Sequence, residues 1–227
     1  MSAAGDAGGR RRPKDSPEVR LSKALSYVLR HGAVKEKVPI RPDGFVLVKD
    51  LLKNNRFKGS TLAEIRALVA ADNKQRYTLA AAAEVDGSAA GAVADDDAAG
   101  WYVRANQGHS LAAVSALELA PIACAEECPT AVHGTSRAAW AGIQQTGLSR
   151  MRRHHIHLAA GLPGSEGVIS GMRTSSAVYI YVDVAAAMRD GVVFFRSANN
   201  VILTEGVDGV LPPQYFARVL DAHGNSL

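Results

Sequence analysis

From Ser16 to Gly32 the apolar residues Leu21, Leu25, Val28 and Leu29 recur at helical spacing, and Ser16-Pro17 supplies an N-cap followed by proline at the first helical position. The pattern predicts a first helix, with Gly32 as its C-terminal stop. Arg41-Pro42-Asp43-Gly44 then reads as a turn leading into Phe45 to Val48. Lys49 to Lys53 reads as a short second helix, and Thr61 with Glu64 forms a capping box ahead of Ile65, Leu68 and Val69 in a third. Arg76 to Leu79 and Trp101 to Arg104 are strand-like, separated by an Ala-, Gly- and Asp-rich stretch at about residues 80–100 that reads as a low-complexity hairpin loop.

Beyond Pro121 and Pro129 the texture changes to short β-branched and aromatic runs: His155 to Leu158, Val178 to Val184, Val192 to Phe195 and Val201 to Leu203, with a helix over Ser136 to Thr146 that stops at Gly147. The chain therefore divides into three: a basic tail without apolar anchors over residues 1–15, a first lobe over 16–120, and a second over 121–227. Three helices followed by a two-stranded wing is the outline of a winged helix. The second lobe reads as a strand-rich mixed unit, so the expected class is α+β.

Composition narrows the function classes. Of 227 residues, 47% are apolar and 21% charged, enough to build a core and unlike a disordered chain. The net charge of +4 points mildly toward anionic partners. Cys124 and Cys128 lack a second pair and so do not form a zinc framework. No window is apolar enough to cross a bilayer, and an intracellular protein, cytoplasmic or nuclear and monomeric, is expected.

Several polar groups could carry chemistry. Arg30 and His31 lie beyond the apolar stripe of the first helix, where cations also serve simply to complement the helix dipole. Arg76 opens a strand and, taken alone, reads as a solvated edge residue. Arg150, Arg152, Arg153 and His154 run into His155-Ile156-His157, and alternation puts His155 and His157 on one face. With His133 these could offer three nitrogens to a metal, but no neighbouring carboxylate supplies a base. His133-Gly134-Thr135 places a donor, a glycine and a hydroxyl at a strand-to-helix turn. Gly161-Leu162-Pro163-Gly164 and Gly167 have the wrong spacing for a Rossmann fingerprint.

In combination these stretches resemble the RNA 2'-phosphotransferase family, NAD-dependent enzymes of tRNA splicing. The resemblance is carried by Leu21 to Tyr27 with Leu29-Arg30-His31-Gly32, Asp43-Gly44-Phe45, Lys74-Gln75-Arg76-Tyr77, Gln107-Gly108-His109-Ser110 and Val132 to Thr135. It continues through Arg153 with His155 to Leu158, Gly167 to Arg173, and Phe195 to Asn199. The resemblance implies a winged-helix lobe joined to an ADP-ribosyltransferase-fold lobe, with the active site in the cleft between them. It implies Arg30, His31, Arg76 and Arg153 as the catalytic set, and His133, Gly134, Thr135, His155, His157 and Ser175 as NAD-contacting positions. Lys23, Gln107 and His109 are expected at the RNA, with the Gln107 to Ser110 segment either touching the backbone or supporting the cleft.

The implied reaction moves the internal 2'-phosphate of a spliced RNA, tRNA above all, to NAD as co-substrate, with no metal. An ADP-ribosylated RNA 2'-phosphate forms first; the products are 2'-OH RNA, nicotinamide and ADP-ribose cyclic phosphate. The chain departs from the family pattern at His154, beside Arg153, and in the long 80–100 segment. Two other functions share the same residues: ADP-ribosylation of RNA or DNA phosphate ends, and a non-catalytic RNA-binding module.

Overall fold

The computed structural model describes residues 15–87, 96–165, 168, 171–173 and 175–227. The expected basic tail lies almost wholly outside the described residues, as do the centre of the 80–100 segment and Gly167, Ile169 and Ser170 of the matching stretches. The fold is α+β, with its two principal apolar cores centred on different sheets.

Helix α1 (Pro17–Tyr27) is capped by Ser16, whose hydroxyl accepts from the Val19 N–H. It buries Leu25 and runs without a break into one π-helical turn, Val28–Gly32. The helical run ends at Gly32 as expected, but not through a left-handed glycine cap. Gly32 is not in the left-handed region; it belongs to the wide turn, and a Cβ there would overlap the Tyr27 ring. The Arg41–Gly44 turn forms, with the Gly44 N–H donating to the Arg41 carbonyl at 2.9 Å and Gly44 at φ +84°. It leads to β1 (Val46–Leu47) and α2 (Val48–Leu52). The capping box at Thr61 and Glu64 opens α3 (Leu62–Ala70).

Strands β2 (Tyr77–Ala81) and β3 (Trp101–Ala105) pair antiparallel, and β1 adds to the other edge of β3, so the expected two-stranded wing is a three-stranded sheet. The low-complexity segment is likewise not all loop: it begins with a short helix, α4 (Ala82–Asp86), capped by left-handed Gly87. Leu25, Val28, Leu29, Val48, Leu51, Ile65 and Val103 are fully buried together in the core of this half.

The second half is a seven-stranded antiparallel sheet. Its strands are β4 (Ala120–Pro121), β5 (Val132–Thr135), β7 (Ile156–Ala159), β8 (Val178–Val182), β9 (Phe194–Arg196), β10 (Val201–Thr204) and β12 (Phe216–Asp221), in the order β12-β8-β5-β7-β10-β9-β4. A small ribbon, β6 (Leu148–Ser149) with β11 (Val210–Leu211), and helices α5 (Arg137–Thr146) and α6 (Val184–Arg189) complete it. The run predicted as a strand through Val184 ends at Val182, because the Asp183 carboxylate accepts from the Ala186 N–H and starts α6. Ile156, Leu158, Ile180, Phe194 and Ile202 form the core of this half.

Two hydrogen bonds tie the halves together beside the site. The His154 N–H donates to the His109 carbonyl at 3.0 Å, and the buried Asn199 amide donates to the Lys74 carbonyl at 2.9 Å.

Candidate active site

The π-helical turn decides where Arg30 and His31 sit. One extra residue in the turn rotates the end of the helix relative to its apolar stripe, and such turns concentrate at functional sites. Arg30 is then folded over Gly108: a Cβ added to that glycine (φ +87°) would lie 3.5 Å from Arg30 Cδ and Nε. Its Nε and Nη2 are buried with no hydrogen-bond partner among the described residues. Burial lowers the Arg30 pKa, and Arg153 and Arg76 push it the same way. A buried guanidinium with unspent donors and two cationic neighbours is prepared for an anion, since leaving those N–H groups unmatched is costly.

Arg76 is fixed from both sides. The Asp72 carboxylate accepts from the Arg76 backbone N–H and from Nη1, each at 2.6 Å. Gln75 stands at φ +45°, and the Asn106 amide donates to its carbonyl at 2.8 Å. Arg153 ends a tight turn closed by its N–H donating to the Arg150 carbonyl at 3.0 Å, while Arg150 Nη1 donates back to the Arg153 carbonyl at 2.9 Å. Partial burial first, and then the neighbouring Arg173, lower the Arg153 pKa. Arg153 is close enough to lower the pKa of Arg30, His31, His133 and His157. Residues from the π-helical turn after α1, from the loop just before β2 and from the β6–β7 connection thus converge on one cationic cleft. On its first-half side Ser22, Lys23, Ser26, Tyr27, Arg30, His31 and Arg76 line a hollow of about 390 Å³.

His31 Nδ1 lies 2.8 Å from Ser110 Oγ, and the Ser110 N–H donates to the Arg30 carbonyl at 2.9 Å. Ser110 thus sets the ring so that Nδ1 is spent and Nε2 is free. Partial burial lowers the His31 pKa, aided by Arg153 and Arg30, which favours the neutral ring at pH 7.

The second-half candidates cluster on adjacent strands. His133, Gly134 and Thr135 lie on β5 opposite Ile180, Tyr179 and Val178 of β8. The His133 Nδ1–H donates to the His157 carbonyl at 3.0 Å, which leaves Nε2 as the other ring atom. His157 Nε2 is buried with no partner among the described residues, and burial followed by Arg153 and Arg30 drives its pKa down to about 3. His155 precedes β7 with its ring 6.1 Å from that of Phe195. Gly134 is not open to close approach, because a Cβ there would overlap Met172 and Ser176. Ser175 is exposed, and its neighbour Ser176 is the one that touches this strand.

Of the residues expected at RNA, Lys23 is exposed on the cleft wall and ion-paired with Asp15 at 2.7 Å. Gln107 and His109 are 7% and 2% exposed, which places both behind the cleft rather than on its surface. His109 has no partner for either ring nitrogen among the described residues, and a Cβ at Gly44 would lie 3.3 Å from its Nε2. Among the described residues no group of three or more His, Cys, Asp or Glu side chains is placed to hold a metal ion, and no helix is long and apolar enough to cross a membrane. Sequence reasoning missed Asp72, Asn106 and Asn199 as positioning residues, whereas Ser110 lies in the segment expected to touch the RNA backbone or support the cleft. The acidic residue four before Arg76 was a readable signal; Asn106 and Asn199 depend on contacts distant in sequence.

The cleft gathers arginines from both halves around His31, whose Nε2 has no partner among the described residues, an arrangement chemically suited to an oxyanion. Residues 16–206 match the model of the RNA 2'-phosphotransferase, Tpt1 / KptA family, and the chain belongs to that family. It is 46% identical over 209 residues to the putative tRNA 2'-phosphotransferase of Schizosaccharomyces pombe; the match covers 92% of this chain but only 53% of that relative, about half its length. It is 44% identical to tRNA 2'-phosphotransferase 1 of Danio rerio, covering 94% of this chain and 90% of the relative. Against the Homo sapiens protein of that name the identity is 44%, with 97% and 83% covered.

Proposed function

We propose that this protein is an NAD-dependent RNA 2'-phosphotransferase that removes an internal 2'-phosphate from RNA, tRNA above all. The carrying observation is the convergence of Arg30, Arg76 and Arg153 on one cleft, with two guanidinium nitrogens of Arg30 unspent among the described residues and His31 beside it. In this reading residues 16–120 are a winged-helix lobe for RNA, and residues 121–227 an ADP-ribosyltransferase-fold lobe for NAD. Membership of the family and the antiparallel second sheet support it.

The second-half residues fit a dinucleotide co-substrate. His157 Nε2 is an orphaned buried nitrogen, and uncharged His133 and hydroxyl-bearing Thr135 flank it on β5. NAD, when bound, supplies a ribose carbon that is activated by a good leaving group. Arg30, Arg76 and Arg153 hold the RNA 2'-phosphate, using guanidinium forks that stay charged and bind oxygens bidentately. The phosphate is already an anion, so their first task is to orient one oxygen toward that carbon; the new C–O bond forms as nicotinamide leaves with the bonding pair. In the second step an adjacent ribose hydroxyl attacks the phosphorus. His31 Nε2 takes its proton, the arginines stabilise charge on the equatorial oxygens, and the RNA 2'-oxygen departs. Gln107 and His109 support the π-turn from behind.

The test is to incubate the protein with a short RNA carrying one internal 2'-phosphate, with and without NAD and with EDTA, and to weigh the products. Phosphate loss only with NAD, unaffected by EDTA and accompanied by ADP-ribose cyclic phosphate, is the expected result. An adduct that never resolves indicates ADP-ribosylation of phosphates instead, and RNA bound but unchanged indicates a binding module.

A further inference from the structure

A second hollow, larger than the one lined by Arg30, His31 and Arg76, lies beside the phosphate cleft. It is a groove of about 850 Å³ between the start of α1, the Arg56–Ser60 loop and α3, and it shares Ser22 and Arg76 with the cleft. Its floor is aliphatic, with Leu21 and Leu68. The carboxylates on its walls are already engaged. Glu64 accepts from Thr61 in the capping box, Asp72 holds Arg76, and Glu18 accepts from the Ser16 hydroxyl. Arg56 is paired with Glu36 at 2.9 Å and lies over the Tyr27 ring at 4.5 Å. Arg20 and Lys58 are exposed and have no ion pair among the described residues.

We propose that this groove is the docking track for the single-stranded RNA that flanks the 2'-phosphorylated nucleotide. The inference rests on the phosphotransferase reading and extends it from one phosphate to the polynucleotide. Continuity carries the argument. A chain whose 2'-phosphate sits against Arg76 has its next nucleotides at the mouth of the groove, where Arg20 and Lys58 meet backbone phosphates and the aliphatic floor takes the faces of the bases. The free positive charges are the ones that a polyanion neutralises, and the site then holds RNA sequence-tolerantly and salt-dependently.

The experiment compares the wild-type protein with the Arg20→Ala/Lys58→Ala double variant on a 2'-phosphorylated trinucleotide and dodecamer. The wild type should favour the dodecamer by about tenfold or more in kcat/KM, and the variant should lose that preference while keeping wild-type turnover of the trinucleotide. Fluorescence anisotropy with a dodecamer lacking the 2'-phosphate gives a second readout. Removing two phosphate contacts should reduce the slope of log K against log salt by about 1.4. An unchanged length preference in the variant, no preference in the wild type, or an unchanged slope overturns the proposal. If neither protein turns over any 2'-phosphorylated RNA, the phosphotransferase reading fails, and the anisotropy slope alone decides the groove.

Discussion

Acidification should destabilise this protein through a buried histidine, His109. His109 is 2% exposed, lacks a partner for either ring nitrogen among the described residues, and is surrounded by Arg30, His154, His31 and Arg104. Burial, and then Arg30 foremost among those neighbours, drives its pKa down to about 3, whereas in the unfolded chain an imidazole titrates near 6.5. The folded state therefore binds fewer protons. The contribution of His109 to stability is fully present above about pH 6.5 and is lost as the pH falls toward 3. Between pH 7 and pH 5 the unfolded chain takes up about 0.7 of a proton at this site and the folded chain almost none, which costs about 2 kcal/mol. Asp221, also lowered to about 2 by the Asn225 side chain and backbone N–H groups, loses its contribution only below its unfolded value near pH 4 and does not enter this window. His157 does titrate in the window, but it is present in both proteins of the comparison below. Urea unfolding of the wild type and of His109→Leu at both pH values isolates the term. The wild type should lose about 2 kcal/mol more than the variant on going to pH 5. An equal loss in the two proteins refutes the assignment of a buried, uncharged His109.

Arg153→Ala should lower nicotinamide release and phosphate transfer together, by about 100-fold, because a phosphate clamp acts before the first bond breaks; normal nicotinamide release from the variant would remove the residue from that role. His31→Ala should leave the first step largely intact and let ADP-ribosylated RNA accumulate, as followed by gel mobility, whereas a slowed first step without adduct would assign the histidine to an earlier event. Ser110→Ala should slow resolution of the adduct by about tenfold and Ser110→Thr should restore it, since threonine keeps the hydroxyl that faces His31 Nδ1 and alanine lacks it. Gly134→Ala should raise the KM for NAD and lower the thermal midpoint, because its Cβ would overlap the Met172 side chain.

Local signals accounted for much of the framework. Ser16 and the Thr61–Glu64 capping box start helices where their side chains can satisfy free N–H groups, and the Arg41–Gly44 turn forms where Asp-Gly permits it. These devices act over three or four residues, so they are legible without the rest of the molecule. Strands β4, β6, β11 and β12 were not legible, because each is short or mixed in polarity and forms only by pairing with distant segments. Helix α6 hid within a β-branched run until Asp183 capped it.

The same division holds at the site. Sequence alone determined the residue types of the candidate site: three arginines, which keep their charge and can bind an oxyanion bidentately, and one histidine, which can accept a proton. It also carried the order of motifs that marks the family. Only the tertiary structure decided that Arg30 is buried with idle donors, that Ser110 rather than a carboxylate sets His31, and that Gln107 and His109 stand behind the cleft. It likewise showed that Ser176 packs beside Gly134, while Ser175 is exposed. The reason is physical: desolvation and charge coupling depend on atoms within a few ångströms of one another, and in this chain those atoms come from Arg30, Arg76, Ser110 and Arg153, residues that only the packing of two cores brings together.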